Sequence, residues 1–334
     1  MVYKKKVLFL SCLVGVLGLL YAGTWIFEPE RVHSRNAAFQ WLDPKRLDEI
    51  DRIELSGSGD PLTLVRKERN WFVSRDDGDY PAKHGRIEEF LRILSAKGSY
   101  PVRGTEAASH ERLGLTEATA SRILLRGGAA AYPVLDLLVG SRDPMGREVY
   151  LRKQDQQEVR SGTDSLSGYI SGSRTAWYNL RLFPEADNPD LGVDSVQRLT
   201  VYALPVPDEE VPESGEPRLP DLPFTLSRSE GGWIIEGASV NALDSQRIEA
   251  YIRSIIEAEG EDFIPAPSGI QEDGFNQARI VLELGNGLSR SIRIGSVLES
   301  NRREAIVSDT PFVYALAEWT LNRIFRRASY FEKP

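Results

Sequence analysis

The chain has 334 residues, 49 acidic against 41 basic, for a net charge of −8. That balance weighs against a nucleic-acid binder, which needs a concentrated basic surface, and the single cysteine, Cys12, excludes an intrachain disulfide. At 41% apolar residues the chain can bury real cores, and its length past the N-terminal region suits two domains of about 150 residues each.

Lys4, Lys5 and Lys6 precede Val7 to Phe27, a run of 21 residues without a charge. At 1.5 Å per residue a helix of that length covers roughly 30 Å, the thickness of a hydrocarbon core. We therefore expect a cytoplasmic tail at 1–6, a transmembrane signal anchor at 7–27 and a polar juxtamembrane segment at 28–40. Lysines on one flank and Glu28 and Glu30 on the other place the N-terminus inside, and Tyr21 and Trp25 suit an aromatic belt. Two competing readings stand beside this one. A cleaved signal would use Ala22-Gly23-Thr24, with bulky Trp25 following, and a lipoprotein would need Cys12 behind the poor lipobox Phe9-Leu10-Ser11.

After a turn or helical lead-in at Trp41 to Leu47, residues 50–56, 62–68 and 71–74 alternate apolar and polar side chains with period two, as half-buried strands do. Gly57-Ser-Gly59-Asp60 reads as the turn between the first two. A helix over 84–97 carries Ile87, Phe90, Leu91 and Leu94 on one stripe, and a short helix near 109–113 stops at Gly114. Strands over 122–126, 134–140, 149–152 and 158–161, a helical stretch at 166–170 and Trp177 to Phe183 complete a first module. Polar, proline-bracketed residues 184–189 make a boundary.

The second half repeats the order. Strands are expected over 196–203, 224–229 and 233–236, then a helix over 244–258 with Ile248, Tyr251, Ile252 and Ile255 on its stripe. Strands over 279–284, 291–294 and 305–307 come next, Asn286-Gly287 marking a hairpin, and a last helix over 310–326 rests on Val313, Leu316, Ala317, Leu321 and Ile324. Literal matches reinforce the parallel. Pro61-Leu-Thr-Leu-Val-Arg66-Lys-Glu68-Arg-Asn-Trp71 answers Pro223-Phe-Thr-Leu-Ser-Arg228-Ser-Glu230-Gly-Gly-Trp233, Arg86 to Arg92 answers Arg247 to Arg253, and Gly140-Ser141 answers Gly295-Ser296. The expected fold is α+β: an N-terminal transmembrane helix, then two tandem copies of an antiparallel-sheet-plus-helix module at 41–184 and 185–334. The second copy carries an extended loop, rich in proline and acidic residues, at 204–223.

Several of these stretches resemble the bacterial domain-of-unknown-function family numbered 4340: the lysine-flanked span, Ile50-Asp-Arg-Ile-Glu-Leu55, Trp71-Phe-Val73, Tyr80-Pro-Ala82 leading into Arg86-Ile-Glu-Glu-Phe-Leu91, and Leu180-Arg-Leu-Phe183. The resemblance implies a protein of the bacterial cytoplasmic membrane, single-pass with its bulk extracytoplasmic, often encoded beside ABC-type transporters of the gliding-motility kind. It supplies no catalytic residues to carry over.

The residues themselves offer little chemistry. His33, His84 and His110 lie among polar neighbours without a second ligand at metal spacing, which suits surface positions. Asp76-Asp77-Gly78-Asp79 lacks the closing Glu of a calcium loop and reads as an acidic turn. Acids matched between the halves, Glu68/Glu230, Glu88/Glu249 and Glu148/Glu304, suit solvated positions, with matched Arg66/Arg228 and Arg92/Arg253 as their expected partners, while Trp71 and Trp233 suit core positions. The basic end, Arg323 to Arg327, reads as the exposed face of the last helix, an acidic-lipid contact being the alternative. No catalytic, cofactor or metal residues are assigned and no cofactor is expected. The leading expectation is a non-enzymatic accessory or scaffold protein, held in the bilayer by 7–27 and associated with ABC-transporter membrane subunits or other envelope proteins. Alternatives are a periplasmic module binding an envelope component in the cleft between repeats, and an enzyme with a carboxylate pair that sequence does not reveal.

Overall fold

The computed structural model describes residues 14–17, 38–128, 132–202, 223–237, 243–265 and 272–332. Two compact units account for them: 1–71 with 83–176, and 72–82 with 177–334. The expected span 7–27 and acidic loop 204–223 lie outside the described residues, apart from helical residues 14–17 and the flanking Pro223. Among the described residues no helix is long and apolar enough to cross a membrane. The fold is α+β, with antiparallel sheets and few helices.

The elements run in chain order as β1 (Ala38–Phe39), β2 (Arg52–Ser56), β3 (Leu62–Lys67), β4 (Asn70–Arg75), β5 (Gly78–Pro81), α1 (His84–Ser95), β6 (Gly98–Ser99) and β7 (Val102–Gly104). Then come α2 (Ala107–Arg112), β8 (Ser121–Arg126), β9 (Leu135–Arg142), β10 (Glu148–Lys153), β11 (Val159–Thr163) and α3 (Ser167–Ile170). Their main sheet has the order β5-β4-β3-β2-β8-β9-β10-β11-β7, and β1 pairs with β6 separately. In β2 the alternation places Ile53 and Leu55 inside, while Arg52 and Glu54 face each other outside at 2.6 Å. Helix α1 has no side-chain cap, and a 12-residue helix is marginal by itself. Its fully buried Ile87, Phe90 and Leu94, each stabilising by about 2 kcal/mol, hold it in place.

Burial in the first unit is two-sided. Leu138 of β9 packs with Leu115 and Val159, and Leu113, Ala120 and Tyr150 border them. The loop after α2 reaches that face because β9 carries a glycine there. A Cβ added to Gly140 would meet the Leu113 carbonyl oxygen at 2.4 Å and Leu115 Cγ at 2.8 Å. That same carbonyl accepts from the Ser141 N–H at 2.9 Å. Beside it Arg152 is buried, its guanidinium donating to the carbonyls of Leu115 (3.2 Å), Gln154 (3.1 Å) and Gln156 (2.9 Å). Burial pulls its pKa below the ordinary arginine value.

The second unit continues with β12 (Val196–Tyr202), β13 (Phe224–Ser229), β14 (Gly232–Ile235), α4 (Ser245–Ile256), β15 (Asp262–Ile264), β16 (Ala278–Leu284), β17 (Ser289–Val297), β18 (Arg303–Val307), β19 (Val313–Leu316) and α5 (Glu318–Ile324). The sheet order is β14-β13-β12-β16-β17-β18-β19-β15. Here the helix is capped: Asp244 accepts from the Arg247 N–H at 3.1 Å, and Ile248, Tyr251, Ile252 and Ile255 are buried. The Asn286-Gly287 turn joins β16 to β17, with Gly287 at φ 85° and the Leu284 N–H on the Leu288 carbonyl at 2.8 Å.

Two expectations need correction here. The last helix is expected over 310–326, but Val313–Leu316 is a strand between β18 and β15, and only Glu318–Ile324 is helical. All four strand residues are buried, and an apolar run covered on both faces satisfies helical spacing as readily as strand spacing. The chain around Trp177 also belongs with the second unit instead of closing the first. The Leu182 N–H bonds to the Ala258 carbonyl at 2.9 Å, the Gly260 N–H to Leu180 at 2.8 Å, and the Asn179 N–H to Pro81 at 2.8 Å, gathering 72–82 and 177–183 into that unit ahead of the prolines at 184–189.

Gly140→Ala is expected to destabilise the first unit by about 1–3 kcal/mol, the usual cost of forcing atoms into packed backbone. Gly295→Ala, whose added Cβ meets the Phe275 ring at 2.7 Å, should cost less because a ring can turn aside. Urea denaturation of the two variants checks the order, and equal losses would contradict it.

Candidate functional site

One open groove in the second unit gathers several side chains that the described residues leave without partners, beside Arg302, whose Nε donates to the Glu299 carbonyl at 3.3 Å. Pairing of β15 with β19 brings Glu261 alongside, its N–H on the Ala315 carbonyl at 2.8 Å. The turn from β17 to β18 supplies Ser300 and Arg302, and the start of α5 supplies Ala317, Glu318, Trp319 and Asn322 around a volume of about 650 Å³. Trp319 is 57% exposed, with the Arg323 guanidinium 5.3 Å from its ring centre. Ser300 and Asn301 sit at φ 62° and 57°, left-handed conformations that cost L residues of order 1 kcal/mol each. No described residue pairs with the side chains of Glu261, Glu318 or Asn322.

A second pocket in the same unit, about 280 Å³, is lined by Arg181, Asn188, Arg253 and Glu257 among others. Asn188 is already engaged, donating to the Pro184 carbonyl at 3.1 Å and accepting from Arg290 at 2.7 Å. It is the poorer candidate.

The residues singled out from sequence do not converge. His33 lies outside the described residues, and His84, exposed, has Glu88 at 3.1 Å. His110 departs from the surface position expected for it: it is buried, its Nε2 2.9 Å from the Gln157 carbonyl, because the loop after β10 folds over α2. Among the described residues no three His, Cys, Asp or Glu side chains come together as a metal site. Of the matched acids, Glu68, Glu230 and Glu88 are exposed and Glu249 and Glu304 half-buried. Glu148 accepts from Ser161 Oγ at 2.7 Å and from Arg103 at 3.0 Å, and the two, Ser161 foremost, hold its pKa below the usual carboxylate range against some burial.

The expected pairing of matched arginines with matched carboxylates is corrected. Arg66 and Arg228 lie over Trp71 and Trp233, 5.8 Å and 5.1 Å from the ring centres, and donate to backbone carbonyls of Asp48 and Val193. Arg92 bonds to Glu89, outside the matched set, at 2.8 Å. Both tryptophans are buried, 6% exposed each. Motif and repeat patterns do not single out Trp319, although one signal is present: it falls off the apolar stripe of Val313, Leu316, Ala317, Leu321 and Ile324.

The acidic turn 76–79 closes the β4–β5 hairpin, Arg75 pairing with Gly78. Asp77 accepts from Tyr80 Oη at 2.9 Å and pairs with Arg75 at 2.8 Å, and the Arg75 guanidinium lies 4.8 Å from the Tyr80 ring centre. Tyr80 stacks on Phe263 at 5.0 Å, with Tyr178 and Phe312 at 5.9 Å and 5.8 Å. Burial first, and then the hydrogen bond to Asp77, push its pKa up to about 12. This cluster is structural in character, its polar groups paired with one another.

No family model, curated protein or solved structure matches the chain.

The Tyr80 phenol favours its neutral form in the fold, so its contribution to stability is complete below its ordinary pKa of 10.0 and is lost as pH rises towards about 12. Tyr80→Phe keeps the ring and should make the fall in stability over that window shallower, leaving the part due to Tyr100, Tyr251 and Tyr314, whose phenols burial likewise pushes up, Tyr314 to about 12. Denaturation midpoints at stepped alkaline pH check this, and an unchanged slope would refute it.

Proposed function

We propose that the chain is a membrane-anchored extracytoplasmic accessory protein that acts by holding partners and not by catalysis. The observation that carries this reading is the uncharged 21-residue run from Val7 to Phe27 behind three lysines, long enough for one span and oriented by its flanks.

We further propose that the two units are tandem copies of one module. Strand order supports it: β3-β2-β8-β9-β10-β11-β7 in one and β13-β12-β16-β17-β18-β19-β15 in the other, with the same antiparallel partners. In both, a short strand that follows the amphipathic helix returns to the far edge, β7 on β11 after the two-residue β6, and β15 on β19. The arginine-over-tryptophan pairs recur, as do Gly140 and Gly295, each admitting a packed neighbour, Leu115 or Phe275. Duplication of this kind doubles a docking surface without new chemistry. The resemblance to the domain-of-unknown-function family suggests ABC-type transporter subunits as partners.

In membranes of cells producing the chain, it should resist extraction by alkaline carbonate and, after mild crosslinking, bring down integral membrane proteins. Replacing two residues of the run, Leu10→Lys and Leu17→Lys, should release it and abolish recovery of those proteins. Carbonate extraction of the parent chain would refute the anchor. Recovery of the chain alone would refute the accessory role.

A further inference from the structure

The turn joining β9 to β10 in the first unit is closed on itself. Asp143 Oδ1 accepts from the backbone N–H groups of Arg147 at 2.6 Å and Glu148 at 2.8 Å, and a glycine, Gly146, takes the left-handed position at φ 69°. These bonds, the one to the Glu148 N–H foremost, hold the Asp143 pKa low. The turn at the same place in the second unit, between β17 and β18, is built otherwise. Two consecutive L residues, Ser300 and Asn301, are left-handed, and the loop is drawn together by the Leu298 N–H on the Arg302 carbonyl at 2.8 Å. Strain of this kind persists where the surrounding structure holds it and concentrates at functional sites. Here it presents Ser300 and Arg302 to the groove that also contains Trp319.

The groove's chemistry narrows its ligand. Ala317 and Trp319 are the only apolar residues among the described ones lining it, too few to receive an apolar peptide or helix, which needs a continuous apolar wall. Glu261 and Glu318 are balanced by Arg302 and by Arg323 against the Trp319 ring, so the described surroundings of the groove carry no net charge and suit a neutral ligand better than an anion or a cation. What remains is an exposed, flat indole, braced by Arg323, amid polar groups that between them donate and accept: two carboxylates, an amide, a guanidinium and a hydroxyl. A sugar ring has the complementary form. Its C–H face stacks on indole, and its neighbouring hydroxyls each donate and accept, matching carboxylate and amide in pairs.

We propose that this groove is a binding site for a neutral saccharide chain, with Trp319 as the stacking platform and Glu318, Asn322, Glu261 and Arg302 as hydroxyl partners. The site goes beyond the accessory role and depends on neither the anchor nor a transporter, since it is read in the isolated chain.

The full chain, in a detergent without sugar head groups, is titrated with maltohexaose, cellohexaose and chitohexaose while heat and tryptophan fluorescence are recorded. At least one should bind saturably, and Trp319→Ala should weaken it by about tenfold or more, with an unchanged thermal melt because the ring is exposed. Trp319→Phe, which keeps a flat face, should retain more affinity than Trp319→Ala, and Glu318→Ala with Asn322→Ala should weaken binding while leaving the melt intact. Absence of binding by all three saccharides overturns the proposal, as does parental affinity in Trp319→Ala. A lowered melt with unaltered affinity would assign Trp319 a structural role and also overturn it.

Discussion

A slip of β2 by one residue between β3 and β8 would turn Ile53 and Leu55 to the outside and carry Arg52 and Glu54 in. The same holds for β12 between β13 and β16, where Leu199 and Val201 are fully buried. Each sheet is organised from such a strand, paired along both edges, so its register is specified by what a wrong register would bury. Once it is set, the amphipathic helices α1 and α4 have apolar surface to lie against. Their different starts, uncapped Lys83 and capping Asp244, matter less than the side chains they bury.

Beyond that strand the sheets diverge through their loops. In the first, a carboxylate and a glycine make the β9–β10 turn self-sufficient, and the loop after α2 is locked to Gly140 and Arg152. In the second, the matching turn holds two L residues left-handed beside an exposed tryptophan, and acids nearby stay without partners among the described residues. A framework shared in strand order thus carries one end that is satisfied internally and one that is left open to a ligand.

Much of the framework is legible in the sequence because it rests on short-range periodicity. Phe224–Ser229 is the strand the alternation predicts, α1 and α4 fall within a few residues of the apolar stripes, and Asn286-Gly287 turns where it should. The failures share a cause. Val313–Leu316 is buried on both faces, so its pattern loses the period that separates strand from helix. β15, three residues long, has too little pattern to register at all. His110 is buried by a segment more than forty positions away, and no local pattern records that.

The amino-acid order by itself determined the alternating strands, the two amphipathic helices, the charge balance and the repeated phrase around Trp71 and Trp233, since each depends on neighbours within a few positions. Only the tertiary structure decided that Arg66 and Arg228 rest on tryptophan rings and not on acids, that 72–82 joins the later unit, and that Trp319 stands open beside Ser300 and Arg302. Those outcomes depend on which distant segments share space. That is fixed by the burial of whole faces and by the pairing of backbone groups across long loops, neither of which leaves a signature in a local window.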